Sequence, residues 1–174
     1  LTWFDSPIGP LLLGAGEEGV CLLEFGDRGS GDDQVAAVTR RLGRGAEWRG
    51  HPLTDRLGEE LTQYFAGTLR RFTVPLDFPG TPFQVRVWEA LLGIPYGQTR
   101  SYGQLARQLG MEGAQRALGH ANGQNPIAIV IPCHRVVAHD GGLGGYGGGL
   151  WRKRFLLDLE AGQAEIADPA FTRG

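Results

Sequence analysis

The chain has 174 residues, 41% of them hydrophobic, and a formal net charge of −2, enough apolar content to bury the core of one domain or of two small lobes. No run approaches the roughly 18 to 20 uninterrupted apolar residues of a membrane span, and no basic region followed by an apolar one opens the sequence, so a soluble, intracellular protein is expected. Two cysteines, Cys21 and Cys133, are too few for a disulfide framework and are expected to stay free thiols.

Leu1 to Phe4 and Leu11 to Leu13 flank the turn sequence Asp5-Ser6-Pro7-Ile8-Gly9 and predict a hairpin. Gly16-Glu17-Glu18-Gly19 then turns the chain into a third strand, Val20 to Phe25. Val35, Val38 and Leu42 recur at helical spacing within residues 33–43, and Leu57, Leu61, Tyr64 and Phe65 repeat the pattern. The first lobe is thus read as a small antiparallel sheet with helices against it. Phe72 to Phe78 is expected to form its last strand, and Pro79-Gly80-Thr81-Pro82 marks a boundary between lobes 1–80 and 81–174.

The second lobe opens with Phe83, Val87, Trp88, Leu91 and Leu92 on one helical stripe, which Pro95-Tyr96-Gly97 ends. Ser101 and Gln104 have the spacing of a capping box for a helix over 102–109. Gly110 stops it, and a third helix is expected from about Gly113 to Asn122. Two short helices with a Gly-containing link have the shape of a helix-turn-helix, although any small helical lobe holds such a pair. Ala114, Ala117 and Ala121 share one face of the last helix, which suits close helix packing or the approach of nucleic acid, with Arg116 projecting.

Charge is uneven. Residues 1–81 carry 8 basic and 12 acidic side chains, residues 82–157 carry 8 and 3, and residues 158–174 carry 1 and 4. The middle segment, at net +5, is the candidate to face a polyanion, unless it is a solvated face balanced by its acidic flanks. Sixteen arginines stand against a single lysine.

Ile131-Pro132-Cys133-His134-Arg135-Val136-Val137 places a thiol, an imidazole and a guanidinium on consecutive residues, after Ala121-Asn122-Gly123-Gln124-Asn125-Pro126 and before the glycine-dense segment 141–149. So much Gly, Pro and Asn predicts tight turns holding a nucleophile at a pocket floor. An ordinary cysteine, pKa about 8.5, is only about 3% thiolate at pH 7, so complete ionisation would accelerate attack about 30-fold, near 2 kcal/mol. Positioning for in-line attack must supply more. In an extended segment neighbouring side chains diverge, so Cys133 and His134 are expected to communicate through a water.

The strings Thr81-Pro82-Phe83-Gln84-Val85-Arg86-Val87-Trp88, Ser101-Tyr102-Gly103-Gln104-Leu105-Ala106, Arg116-Ala117-Leu118-Gly119, Asn122 to Pro126, Ile131 to Val137 and Gly145-Tyr146-Gly147-Gly148-Gly149-Leu150 occur in the order found in O6-alkylguanine-DNA alkyltransferases, which the chain resembles densely over 81–160 and more loosely before. The resemblance implies an α+β fold: an N-terminal ribonuclease H-like α/β lobe with an antiparallel sheet, and a mainly helical C-terminal lobe carrying a winged or helix-turn-helix DNA-binding motif. It implies direct DNA repair, with the alkyl group moved irreversibly from O6 of guanine, or O4 of thymine, onto Cys133.

By the same resemblance His134 is the base acting through a water, Glu160 orients it, and Tyr102 donates to the leaving guanine. Arg116 enters the duplex in place of a flipped nucleotide, while Ala114, Gln115, Ala117 and Gly119 lie in the minor groove. Asn125 is a hinge between DNA-binding helix and active-site turn; Arg135, Val136, Tyr146 and Gly147 line the pocket. Carbonyls near Cys133 and Val136 accept from the guanine amine, and the Gly147 amide bonds O6, where many members carry serine. No cofactor is implied, and no metal, since Gly16 stands where zinc-binding members have cysteine. The implied partner is double-stranded DNA containing O6-alkylguanine, met by a monomer, with cooperativity on DNA left open; the location is the cytoplasm, or the nucleus in a eukaryote. A non-catalytic lesion-binding module and a Cys-His hydrolase remain as other readings.

Overall fold

The computed structural model describes residues 1–27, 31–43 and 45–162, and the chain divides into two compact units, Leu1–Phe78 and Pro79–Gly174.

In the first unit, β1 (Thr2–Ser6), β2 (Gly9–Ala15) and β3 (Val20–Phe25) form an antiparallel sheet in the order β1-β2-β3. The hairpin register pairs Ser6 with Gly9, and Ser6 closes the turn by donating to the Gly9 carbonyl and accepting from the Ile8 amide. Leu11, Leu12 and Leu13 are all buried although their side chains alternate between faces, because each face carries a helix. On one face, Val38 of α1 (Gly31–Leu42) packs with Leu12, Cys21 and Leu22. On the other, Gly58 of α2 (Pro52–Phe65) lies against Phe4, the register partner of Leu11. Each fully buried leucine contributes roughly 1.5–3 kcal/mol.

The expected strand over Phe72 to Phe78 is not formed. Only Leu76 makes a bridge, parallel to Val20. Buried Glu60 of α2 takes the amides of Thr73 and Val74 and the Thr73 hydroxyl, all at 2.9–3.0 Å. Pro75 has no amide to give to a ladder. What remains is the pair of bonds Val20 N–H to Pro75 O and Asp77 N–H to Val20 O. A Cβ on Gly19 would stand 2.8 Å from the Pro75 carbonyl oxygen, so glycine is required for this approach.

In the second unit, α3 (Pro82–Leu92) begins at Thr81, whose side chain forms a full capping box with Gln84; the boundary sequence is thus also a helix start. β4 (Arg100–Ser101) leads into α4 (Tyr102–Gln108), capped by Ser101 and Gln104 as the sequence predicts. Gly110 and Gly113, both at positive φ, link it to α5 (Gln115–Gly123). α3 is tied to α5 by the Trp88 indole N–H on the Ala121 carbonyl. β5 (Val136–Val137) pairs parallel with β4, and α6 (Leu150–Glu160) closes the described part.

Candidate active site

Residues 125–132 form turns rather than helix or strand. Within them Ile129 is fully buried with φ of 71°, a left-handed conformation that costs a β-branched residue on the order of 1–3 kcal/mol. Asn125 braces this turn from inside: its Oδ1 accepts from the Ile127 amide and its Nδ2 donates to the Ile131 carbonyl at 2.7 Å. Cys133, His134 and Arg135 then form a single 3-10 turn, not the extended segment considered from sequence. Successive side chains of such a turn leave at about 120°, so thiol and imidazole still diverge.

His134, fully buried, turns its Nε2 to Glu160 Oε2 at 2.7 Å. Glu160 is held from its other side by Arg135, whose Nε and Nη2 reach the two carboxylate oxygens at 2.7 and 3.0 Å while Nη1 donates to the Ile94 carbonyl. Gly97 lets the chain pass the end of α6: its φ is 77°, and a Cβ would lie 3.1 Å from the Glu160 main-chain carbonyl oxygen. Burial pushes the Glu160 carboxyl up, but the bonds and charges of His134 and Arg135 outweigh it and hold the pKa down to about 2. Burial also lowers the His134 pKa, and here the Glu160 contact only partly opposes it. The pair is therefore a carboxylate accepting from a neutral imidazole. That fixes the tautomer, with the proton on Nε2 and the lone pair on Nδ1. Nδ1 is buried with no protein partner among the described residues.

Cys133 is 6% exposed. Burial raises its pKa; hydrogen bonds from Asn125 and Tyr146 and the charge of Lys153 oppose that rise. Tyr146 is half-buried with its hydroxyl inside, and its pKa is pushed well up by burial and by the sulfur. Tyr102 is wedged between α5 and the glycine-rich segment: a Cβ on Gly119 would meet its ring at 3.8 Å and one on Gly144 at 3.6 Å. Burial and the nearby Cys133 raise its pKa, and Asn122 lowers it, so the phenol remains a proton donor at neutral pH.

The sequence profile described as 6-O-methylguanine DNA methyltransferase, ribonuclease-like domain, matches residues 1–78, and the one described as its DNA binding domain matches residues 82–162. The chain belongs to the 6-O-methylguanine DNA methyltransferase family. A methylated-DNA–protein-cysteine methyltransferase of Mycobacterium bovis is 48% identical over 166 residues, covering 92% of this chain and 91% of that one. One from Methanosarcina acetivorans is 44% identical, covering 90% and 95%. Among solved structures, Mycobacterium tuberculosis OGT in complex with DNA superposes with a TM-score of 0.81 at 46% identity, covering 97% and 96%. The expected fold class, a ribonuclease-like lobe followed by a helical DNA-binding lobe, is that of this methyltransferase family.

Against this family background, the structure gathers Cys133, His134, Glu160, Tyr102, Asn125 and Tyr146 into one site. Arg116, Gln115 and Ala117 stand exposed on α5, with Ala114 and Gly119 half-buried; Ala121, which shares their face, is buried under Trp88 instead. Arg135 points to Glu160 and the Ile94 carbonyl, so it acts on the site through the carboxylate. Val136 is buried, and Gly147 lies on an exposed loop. Asn125 bonds Ile127 and Ile131 within the active-site turn and also reaches Cys133. The link from α5 to the nucleophile is made by Asn122, whose Nδ2 donates to the Cys133 carbonyl at 3.3 Å, a role sequence reasoning missed although only two asparagines were there to choose from. That carbonyl also accepts from the Val136 amide. The sequence reading also left Lys153 without a role, although it is the chain's single lysine. Among the described residues, no group of three or more His, Cys, Asp or Glu is placed to hold a metal.

Proposed function

We propose that this chain repairs DNA directly, moving a methyl or other alkyl group from O6 of guanine, and from O4 of thymine, irreversibly onto Cys133. The carrying observation is the buried thiol beside a neutral imidazole whose Nε2 proton is committed to an ionised Glu160, which leaves Nδ1 as the base. The thiol proton passes through a water to Nδ1, and Glu160 stabilises the resulting imidazolium across 2.7 Å. The thiolate attacks the alkyl carbon; the S–C bond forms, the C–O6 bond breaks, and the electron pair leaves with the guanine, to which Tyr102 donates. A thioether does not depart under mild conditions, so each molecule reacts once.

The base must leave the stack to reach the thiol of a buried residue, Cys133 being 6% exposed, at a cost of a few kcal/mol. Exposed Arg116 on α5 is suited to fill the vacated space, with Ala117 and Gly119 allowing backbone approach to a minor groove. The carbonyls near Cys133 and Val136 are the acceptors for the guanine amine, which each takes alongside donors it already holds: Asn122 and the Val136 amide on Cys133, Lys153 on Val136. Tyr146 forms a wall and the Gly147 amide meets O6. The partner is double-stranded DNA, met by a protein that is a monomer in solution.

Mixing the chain with duplex DNA containing O6-methylguanine should raise its intact mass by one methylene, and Cys133→Ala should abolish the gain. An unchanged mass overturns the reading, and DNA binding without transfer would favour a non-catalytic module. Continued turnover of a thioester would favour a hydrolase.

A further inference from the structure

Sixteen of the seventeen basic side chains are arginines, and lysine occurs once, at position 153. Lys153 is also among the largest fully buried side chains of the described residues. Its Nζ donates to the carbonyls of Val136 at 2.7 Å, Gly145 at 3.1 Å and Leu143. Three acceptors converge on one nitrogen, which a compact ammonium with three hydrogens satisfies and a planar guanidinium fork does not. The chemistry of the position selects lysine in a chain that otherwise uses arginine.

The three carbonyls belong to two segments that frame Cys133: β5, directly after the 3-10 turn, and the glycine-rich loop that runs into Tyr146. Carbonyls supply dipoles but no counter-charge. Burial lowers the Lys153 pKa to about 8, and the group that raises it among the described residues is Cys133. In return Lys153 lowers the pKa of Cys133 and of His134. Tyr102 and Tyr146 are the other titratable groups facing the sulfur; Glu160 engages His134 on its far side and is itself held by Arg135.

We propose that Lys153 is a positioning residue of the transfer reaction: the fixed counter-ion of the Cys133 thiolate, and the clamp that sets the Leu143–Gly145 backbone, with Tyr146 after it, against the sulfur. The inference rests on the alkyl-transfer reading. The proton leaving Sγ goes to His134, and Lys153 keeps its own throughout. Once the S–C bond forms the sulfur is neutral, and the ammonium loses its counter-charge.

The test uses the full chain without DNA. Iodoacetamide capture of Cys133, followed by peptide mass across a pH series, reports thiolate formation. In Lys153→Met the capture midpoint should rise by at least about one pH unit, a tenfold loss of rate at neutral pH. Lys153→Arg should keep the midpoint near that of the unmodified chain while slowing methyl transfer. An unchanged midpoint in Lys153→Met overturns the proposal and leaves a purely structural lysine. Should both variants fail to fold, isotope-labelled lysine gives a single Nζ resonance. Its titration midpoint should fall in Cys133→Ser, and equal midpoints overturn the proposal. Failure of the unmodified chain to accept methyl from DNA would instead sink the proposed function, since neither capture nor ammonium titration requires DNA.

Discussion

Cys133 by itself is a poor nucleophile in this site, because its burial disfavours the charge that attack requires. The correction comes from neighbours with opposite demands: a neutral imidazole with an available lone pair, a carboxylate clamped by Arg135, and a buried ammonium. Glu160 is the group whose removal should be most informative. Its folded pKa of about 2 lies below the ordinary 4.5, so the stability it contributes is fully present above about 4.5 and is lost as pH falls toward 2. The shift corresponds to about 3 kcal/mol. Glu160→Gln should therefore flatten the acid limb of the denaturation curve, measured by urea titration from pH 6 to 2. It should also slow methyl transfer by about 100-fold or more, because the imidazolium loses its stabilising charge. An acid limb as steep as that of the unmodified chain would show that Glu160 is not the titrating group. Arg135→Lys should be a poor substitute, since a single ammonium cannot reproduce the two-pronged grip on Glu160.

At the scale of elements, local chemistry was a good guide wherever a helix or hairpin carried its own start and stop signals. The Ser101 and Gln104 capping box and the Ser6 turn appear where the spacing put them, and the α3 stripe buries Val87, Trp88 and Leu91 but leaves Leu92, expected on it, exposed. Phe72 to Phe78 misled because a strand also needs amides free to pair, which the residues of the run do not reveal. Glu60, twelve residues upstream of Phe72, takes those amides, and no local pattern announces so distant a carboxylate. Glu60→Ala would leave two backbone donors and a hydroxyl without their acceptor. It should cost about 2–4 kcal/mol in denaturant unfolding, with the rate of Cys133 capture unchanged in the folded protein. A loss under about 0.5 kcal/mol would mean that water replaces the carboxylate freely. The 3-10 turn at Cys133 was likewise illegible: Pro132 and the Asn125 bonds to residues 127 and 131 impose it, and the outcome depends on side chains folding back across the turn.

At the scale of the whole chain, the net +5 of residues 82–157 lies within the second unit, which also carries the nucleophile and the exposed Arg116. Polyanion attraction and chemistry thus reside in the same unit. The rate of methyl transfer at limiting DNA should fall with added salt, log against log, as phosphate contacts release counterions. Arg116→Ala should lower that rate by roughly 10- to 100-fold, the loss of about 1–3 kcal/mol of stacking in the opened duplex. Iodoacetamide capture of Cys133 should stay the same, because Arg116 stands exposed on α5 and takes no part in the charges around the sulfur. Equal loss in both assays would place the defect in folding rather than in DNA engagement.

The sequence by itself determined the family and named the proposed nucleophile and its companions, because those residues sit in short strings whose order and composition survive without any knowledge of contacts. It also determined where the capped helices begin, since a capping box is read over four consecutive residues. Tertiary structure alone decided how the companions are connected. It turned Arg135 onto Glu160, gave α5 a bond to the Cys133 carbonyl through Asn122, and brought the Val136 amide to the same oxygen. It also surrounded the single lysine with three carbonyls from segments eight to seventeen residues away. These are matters of which donor meets which acceptor in a buried space, where most polar atoms must find a partner. That assignment is made only when distant parts of the chain are brought to within 3 Å of one another.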